Sequence, residues 1–519
     1  MRSAAAECAM PSPGCVPLCA RSCTAKAAPV RQSRAMRRSP SPMRNRGYDV
    51  CGHRAVDPSV GSAAEFDPGV AEAHWPGLRV MPEHVLSHTS DQHPLFAESR
   101  RSRTGPKADW FVWADPRPDG TPPSNWQAIF GGPAWTWEPR RRQYYLHNFL
   151  SEQPDLDYHH PAVRDWAVET LRFWMDRGVD AFRLDAVNFL FHDPALTDNP
   201  VDERPGPRPT LKTYDMQMPR FSKNRPETLD FMRVLRREVE GRGGVLLGEI
   251  GESHHPIERL AEYTSGGRLH MGYHPEMLGA RFDAAHFTGQ VERLFALAPD
   301  AWPAWAFSNH DVPRHVSRWA DHAAGRAAFA RLCCALLLCL PGAACIYQGE
   351  ELGLPDPGLA FEDLVDPEGL AFWPENPGRD GARTPMPWEA DAPHAGFTAA
   401  PRPWLPVRPA HAALAADRQA ADPESVLSFY RRMIALRRAE PALRTAPARF
   451  LDLPEPVLAF ARGGLLCAFN LSPRAIDVPL PAPLAPEGPV LAASGTARDG
   501  ARLSLGPNGV LIARLARDA

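Results

Sequence analysis

Three carboxylates close apolar runs of the kind that form buried strands: Asp185 ends VDAFRLD, Glu249 ends GVLLGE, and Asp311 ends WAFSNHD. Arg183 lies two residues before Asp185, so on a strand both side chains share a face. A guanidinium there keeps Asp185 an anion, which suits a nucleophile. Glu249 follows Val245-Leu246-Leu247-Gly248 with no cation beside it in sequence. An apolar setting of that kind raises a carboxyl pKa and suits a proton donor. Two carboxyl groups in unlike surroundings, one ionised and one protonated, are what cleavage of a glycosidic bond needs across its oxocarbenium-like transition state. His310 and Asp311 could grip sugar hydroxyls.

The elements that must position these groups alternate along the chain. Leu78–Leu86, Val179–Asp185, Gly244–Glu249, Trp305–Asp311 and Ala343–Gln348 read as strands; Val163–Arg177, Glu227–Glu240, Arg326–Leu340 and Glu424–Glu440 read as amphipathic helices. Such alternation predicts βα units around a parallel sheet. Parallel strands buried on both faces stay apolar to their C-terminal ends, and here the ends carry Arg183/Asp185, Glu249, His310/Asp311 and His88. One such acid alone would be an ordinary helix cap. Four charged strand ends together match the active-site edge of a (β/α)8 barrel. The predicted fold is α/β, a (β/α)8 TIM barrel over residues 39–440. A loop-rich insertion follows strand 3 over 89–161, and a C-terminal antiparallel β domain spans 443–519.

Composition sets the outer bounds. The 519 residues are 44% hydrophobic, enough for a large core, and the formal net charge of −3 gives no electrostatic case for nucleic acid or an acidic membrane. No apolar run reaches membrane-spanning length, since Leu332–Leu340 stops at Pro341-Gly342. Cys333, Cys334, Cys339, Cys345 and Cys467 sit in apolar runs and read as buried thiols of a reducing compartment, which predicts a cytoplasmic protein. Cys8, Cys15, Cys19 and Cys23 lack any CxxC pair, and His159-His160 and the other scattered histidines read as structural. HExxH, P-loop, GxGxxG and GxSxG patterns are absent. Neither a metal nor a cofactor is expected.

At this point the sequence resembles glycoside hydrolase family 13, the α-amylase superfamily, and within it the bacterial exo-acting α-glucosidases and oligo-glucosidases. The resemblance rests on an ordered set: GYDV (Gly47–Val50), VLSHTSDQHPLF (Val85–Phe96), QPDLD (Gln153–Asp157), DAFRLDAVNF (Asp180–Phe189), LLGEI (Leu246–Ile250), FSNHD (Phe307–Asp311), QGEELGL (Gln348–Leu354) and GRDGARTPMPW (Gly378–Trp388). It implies that Asp185 is the nucleophile, Glu249 the general acid/base, and Asp311 the carboxylate holding the sugar's 2- and 3-hydroxyls. It implies that Arg183 orients the nucleophile, His88 and His310 bond the −1 glucose, Tyr48 stacks on it, and Phe130 walls it from the insertion. Arg383, with an acidic partner, would cap the 4-hydroxyl and close the pocket, so a short oligosaccharide is the implied substrate. Transglucosylation, 1,6-linked or sucrose substrates, and a truncated inactive relative are the alternatives. The residue after the nucleophile, which tracks linkage in the family, is Ala186, neither of the usual types.

Three substitutions and one segment depart from the pattern. Asn45 stands where the family has the aspartate that partners Arg383, Glu83 replaces an aspartate, and Ser87 an asparagine. Residues 1–38 contain no Asp to ligate a cation and nothing like the family's first strand. Residues 1–46 hold nine Lys/Arg against the single acid Glu7. A transit peptide, a disordered basic tail and a mistranslated or truncated start all fit this stretch. The abrupt return of the pattern near Ser39 fits the last best. The barrel is therefore expected to lack its first strand, with 1–38 disordered and folding or activity weakened.

Overall fold

A computed structural model describes residues 17–19, 33–36, 39–59, 61–204, 211–273, 275–480, 489–499 and 502–515. They divide into two compact units, one chiefly Ser22–Tyr273 with Val365–Gly378, the other chiefly His274–Leu364 with Arg379–Ala519.

In the first unit five strands lie side by side in parallel, in the order Ser33–Met36, Arg79–Val85, Ala181–Asp185, Val245–Glu249, Met271–Tyr273. The helices Pro161–Met175 and Pro226–Glu240 connect them, each entered through a proline in the first turn, where its missing N–H costs nothing. Both turn Leu, Val and aromatic residues inward, with Leu171, Trp174, Met232 and Leu235 fully buried. Between the Arg79–Val85 and Ala181–Asp185 strands lies a small antiparallel sheet of Trp113–Ala114, Gln143–Leu146 and Trp135–Glu138. It has its own core of Val112, Trp126, Trp135 and Leu146.

In the second unit Pro303–Ala306 pairs in parallel with Ala343–Cys345, which the almost wholly buried helix Arg326–Cys339 precedes. Strand–helix alternation of the (β/α)8 type thus runs through both units. The expected strand Trp305–Asp311 is shorter than the sequence suggests. It ends at Ala306 because the Asn309 Oδ1 accepts the N–H groups of Asp311 and Val312, turning the chain out of the extended state. Pro17–Cys19 also forms a strand, antiparallel to Ala344-Cys345 where a barrel strand would run parallel. It and Ser33–Met36 fall in the stretch expected to be disordered, and the rest of 1–38 lies outside the described residues.

The C-terminal sheet has the order Arg449–Phe450, Val457–Arg462, Leu465–Asn470, Arg502–Arg514, Ile476–Pro479, with Val490–Asp499 also on Arg502–Arg514. Gly463 and Gly464 both take positive φ (54° and 79°) in the hairpin between the second and third strands, as the tight twisted turn requires. No helix among the described residues is long and apolar enough to cross a membrane.

Candidate active site

Sheet register assembles the first cluster. Glu83 is paired with Arg183, and Val85 with Asp185. On the other side Arg183 is paired with Leu247, two residues before Glu249. Residues two apart on a strand share a face, so Glu83, Arg183, Asp185 and Glu249 all project to one side at the strands' C-terminal ends. The Arg183 guanidinium bonds three acids: Nη1 lies 2.5 Å from both Glu83 Oε1 and Asp185 Oδ1, and Nη2 2.7 Å from Glu249 Oε2. Burial would discharge Arg183, but the carboxylates of Glu249, Glu83 and Asp185 reverse this and hold it protonated, well above its ordinary value. The expectation of an apolar setting for Glu249 is corrected here. Its strand neighbours Arg183, and the cation missing in sequence arrives across the sheet.

After Asp185 the chain turns sharply. Ala186 is left-handed (φ 43°, ψ 45°) at the start of the Val187–Phe189 turn, and its N–H reaches Glu249 Oε2 at 3.4 Å. A non-glycine residue in this region stores about 1–2 kcal/mol, and such strain gathers where a reacting group must be aimed.

Tyr48 and His88 join the same unit. The Tyr48 hydroxyl donates to Glu83 Oε1 at 2.9 Å, and its ring packs with Val50 and Val85. His88 Nε2 lies 3.0 Å from the Tyr48 carbonyl and 2.8 Å from the Gln153 amide, with the Ser87 hydroxyl on Nδ1. Burial lowers the His88 pKa while Asp185 opposes this. Asn45 donates to Gln153 Oε1 at 3.1 Å. Phe149 links Phe130 to His88, its ring 6.1 Å from the one and 5.0 Å from the other by centroids.

In the second unit Asp311 is held by two arginines, Arg379 Nη1 at 3.2 Å and Arg383 Nη2 at 3.1 Å, and His310 Nε2 lies 3.2 Å from its other oxygen. Arg383 Nε donates to the His310 carbonyl at 2.7 Å.

Four residues escaped the sequence reading of the site. Glu83 appeared there only as a departure, yet it is buried and bonds both Arg183 and Tyr48. Asp49, wholly buried, accepts the Ser41 hydroxyl and the N–H groups of Arg44 and Asn45, fixing the loop before Tyr48. Gln153 and Arg379 each lie inside a quoted motif, QPDLD and GRDGARTPMPW, which is the signal that could have found them.

The α-amylase catalytic-domain family matches residues 39–446, from the position where the sequence pattern resumes. A probable α-glucosidase of Rhizobium meliloti (strain 1021) is 49% identical over 452 residues, 85% of this chain and 82% of that protein. An oligo-1,6-glucosidase of Heyndrickxia coagulans is 31% identical, covering 85% and 84%. The crystal structure of the α-glucosyl transfer enzyme XgtA is 48% identical and superimposes with a TM-score of 0.87 over 93% of this chain and 91% of that one. With the family domain spanning most of its length, and an arginine-linked set of acids at the strand ends, this chain belongs to the α-amylase family of glycoside hydrolases.

Proposed function

We propose that the chain is an exo-acting α-glucosidase that hydrolyses terminal α-glucosidic bonds of short, maltose-like oligosaccharides with retention of configuration. The observation that carries this reading is the Arg183 guanidinium bridging Asp185 and Glu249 on adjacent strands. Asp185 attacks the anomeric carbon while Glu249 gives its proton to the departing glycosidic oxygen, leaving a glucosyl ester on Asp185. Glu249, now a base, takes a proton from water, which attacks the ester from the opposite face. Two inversions restore the α configuration. Arg183 keeps Asp185 aimed. A proton on Glu249 relieves the crowding of three carboxylates around one cation.

The resemblance assigns Asp311 to the 2- and 3-hydroxyls, His88 and His310 to the −1 glucose, Tyr48 to stacking and Phe130 to the wall. For Arg383 the bonds to Asp311 and the His310 carbonyl support a role in holding that aspartate, besides the 4-hydroxyl contact that the family pattern implies. The buried cysteines Cys333, Cys334, Cys339, Cys345 and Cys467 support a reducing, cytoplasmic setting.

Reaction with a 2-deoxy-2-fluoro-glucosyl donor tests the mechanism. Peptide mass mapping should find the sugar on the Asp185 peptide, and a label elsewhere, or none, overturns it. The 48% identity to XgtA favours one second reading, glucosyl transfer, in which a sugar hydroxyl replaces water at the second step. Product analysis with maltose, isomaltose and sucrose at low and high sugar concentration separates the two.

A further inference from the structure

A second polar cluster lies in the first unit, built from residues other than Arg183 and its acids. Asp157 and His159 belong to the segment leading into the Pro161–Met175 helix, and His192 follows the Val187–Phe189 turn beyond Asp185. One oxygen of Asp157 and one ring nitrogen of each histidine lie within 4.8 Å of one another.

We propose that Asp157, His159 and His192 form a binding site for a divalent transition-metal ion of the zinc class, which ties the segment before the helix to the loop after the Asp185 strand.

Each ligand is prepared for this by its surroundings. His159 Nε2 donates to the His192 backbone carbonyl at 2.9 Å. A carbonyl can only accept, so the proton sits on Nε2 and the Nδ1 lone pair is free, the arrangement that orients a metal-binding imidazole. His159 N–H donates to Asp157 Oδ1 at 2.9 Å, fixing the carboxylate. The His192 residue is only 7% exposed, and its backbone carbonyl already ties it to His159. Its ring meets that of His159 edge to face, with centroids 4.9 Å apart. Asp157 makes no ion pair with a lysine or arginine among the described residues. A cation would supply the charge this carboxylate lacks.

Two imidazoles and one carboxylate are a donor set for zinc, cobalt or nickel rather than for calcium, whose ligands are all oxygens. The present spacing is wider than a tetrahedral shell around an ion at about 2.0–2.2 Å, so binding draws the three side chains inward. With only three protein ligands, a water completes the coordination.

Protein stripped with a chelator and titrated with Co²⁺ tests this. One equivalent should give the visible absorption of tetrahedral cobalt, displaced by Zn²⁺, and the thermal midpoint should rise with metal concentration. His159→Ala and Asp157→Asn should each weaken binding by about tenfold or more, while His255→Gln, an exposed histidine elsewhere, should not. The two variants act at separate atoms, so one remains informative if the other fails to fold. Absence of a one-equivalent transition overturns the site, as does binding that survives both substitutions. Neither outcome depends on glucosidase activity.

Discussion

Arg183 and Glu249 form a 2.7 Å ion pair across adjacent strands, although 66 residues separate them in sequence. The same guanidinium holds Asp185, so one side chain sets the position of both proposed reacting groups. Breaking it should harm chemistry more than binding.

Arg183→Lys keeps the charge but loses the planar fork, and kcat on p-nitrophenyl α-glucoside should fall by about 10²-fold or more with a smaller change in KM. Arg183→Ala leaves three acids facing one another and should cost about 3–5 kcal/mol in a urea unfolding experiment. Near-normal kcat in the lysine variant would remove Arg183 from the mechanism.

Glu83 supplies a buried negative charge on the far side of Arg183. Glu83→Gln keeps an acceptor for Tyr48 but deletes the charge. The Arg183 guanidinium then loses one of its three anionic partners, so kcat on p-nitrophenyl α-glucoside should fall by about 10-fold or more with a smaller change in KM. An unchanged kcat means Glu83 only packs. Glu83→Ala should in addition destabilise by about 3 kcal/mol, since Arg183 and the Tyr48 hydroxyl both lose a buried partner.

Burial lowers the His93 pKa to about 4, against about 6.5 in the unfolded chain. Between those values the unfolded chain binds the extra proton, so this group's stabilisation is complete above pH 6.5 and is lost as pH falls toward 4. The loss amounts to about 3 kcal/mol at the lower end. His93 Nδ1 also accepts the Leu95 N–H at the start of a short helix, a task that asparagine performs equally well. His93→Asn should therefore flatten the decline in unfolding free energy between pH 6.5 and 4. An unchanged slope refutes the assignment.

Gly248 precedes Glu249, and a Cβ added there would stand 2.3 Å from Leu269 Cδ1 and 3.2 Å from Val187 Cγ2. Gly248→Ala should cost about 1–3 kcal/mol by overpacking and displace Glu249, lowering kcat. Shortening the obstructing side chain in Gly248→Ala/Leu269→Val should recover part of both losses; a double variant no better than the single one would locate the fault elsewhere.

The strands and helices around Asp185 and Glu249 were legible because buried parallel strands must be apolar until their polar ends, and the family motifs fell on those ends. What the sequence could not display was lateral order. Glu249 looked isolated from cations because only pairing across the sheet brings Arg183 beside it, and Glu83 looked like a mere departure for the same reason. His310 and Asp311 read as a strand end, whereas the Asn309 side chain had already turned the chain, a local choice that periodicity does not register. The strand Pro17–Cys19 gave no signal at all, being three residues long and paired to a partner more than 300 positions away. Phe149 went unnoticed between Phe130 and His88 because a ring that bridges two others has no sequence spacing of its own.

The strand Arg502–Arg514 carries three neighbours, Leu465–Asn470, Ile476–Pro479 and Val490–Asp499. It follows all three in the sequence, and Ile476–Pro479 and Val490–Asp499 pair with no other strand among the described residues, so these two must wait for it, whereas Val457–Arg462 and Leu465–Asn470 can already zip together as a hairpin.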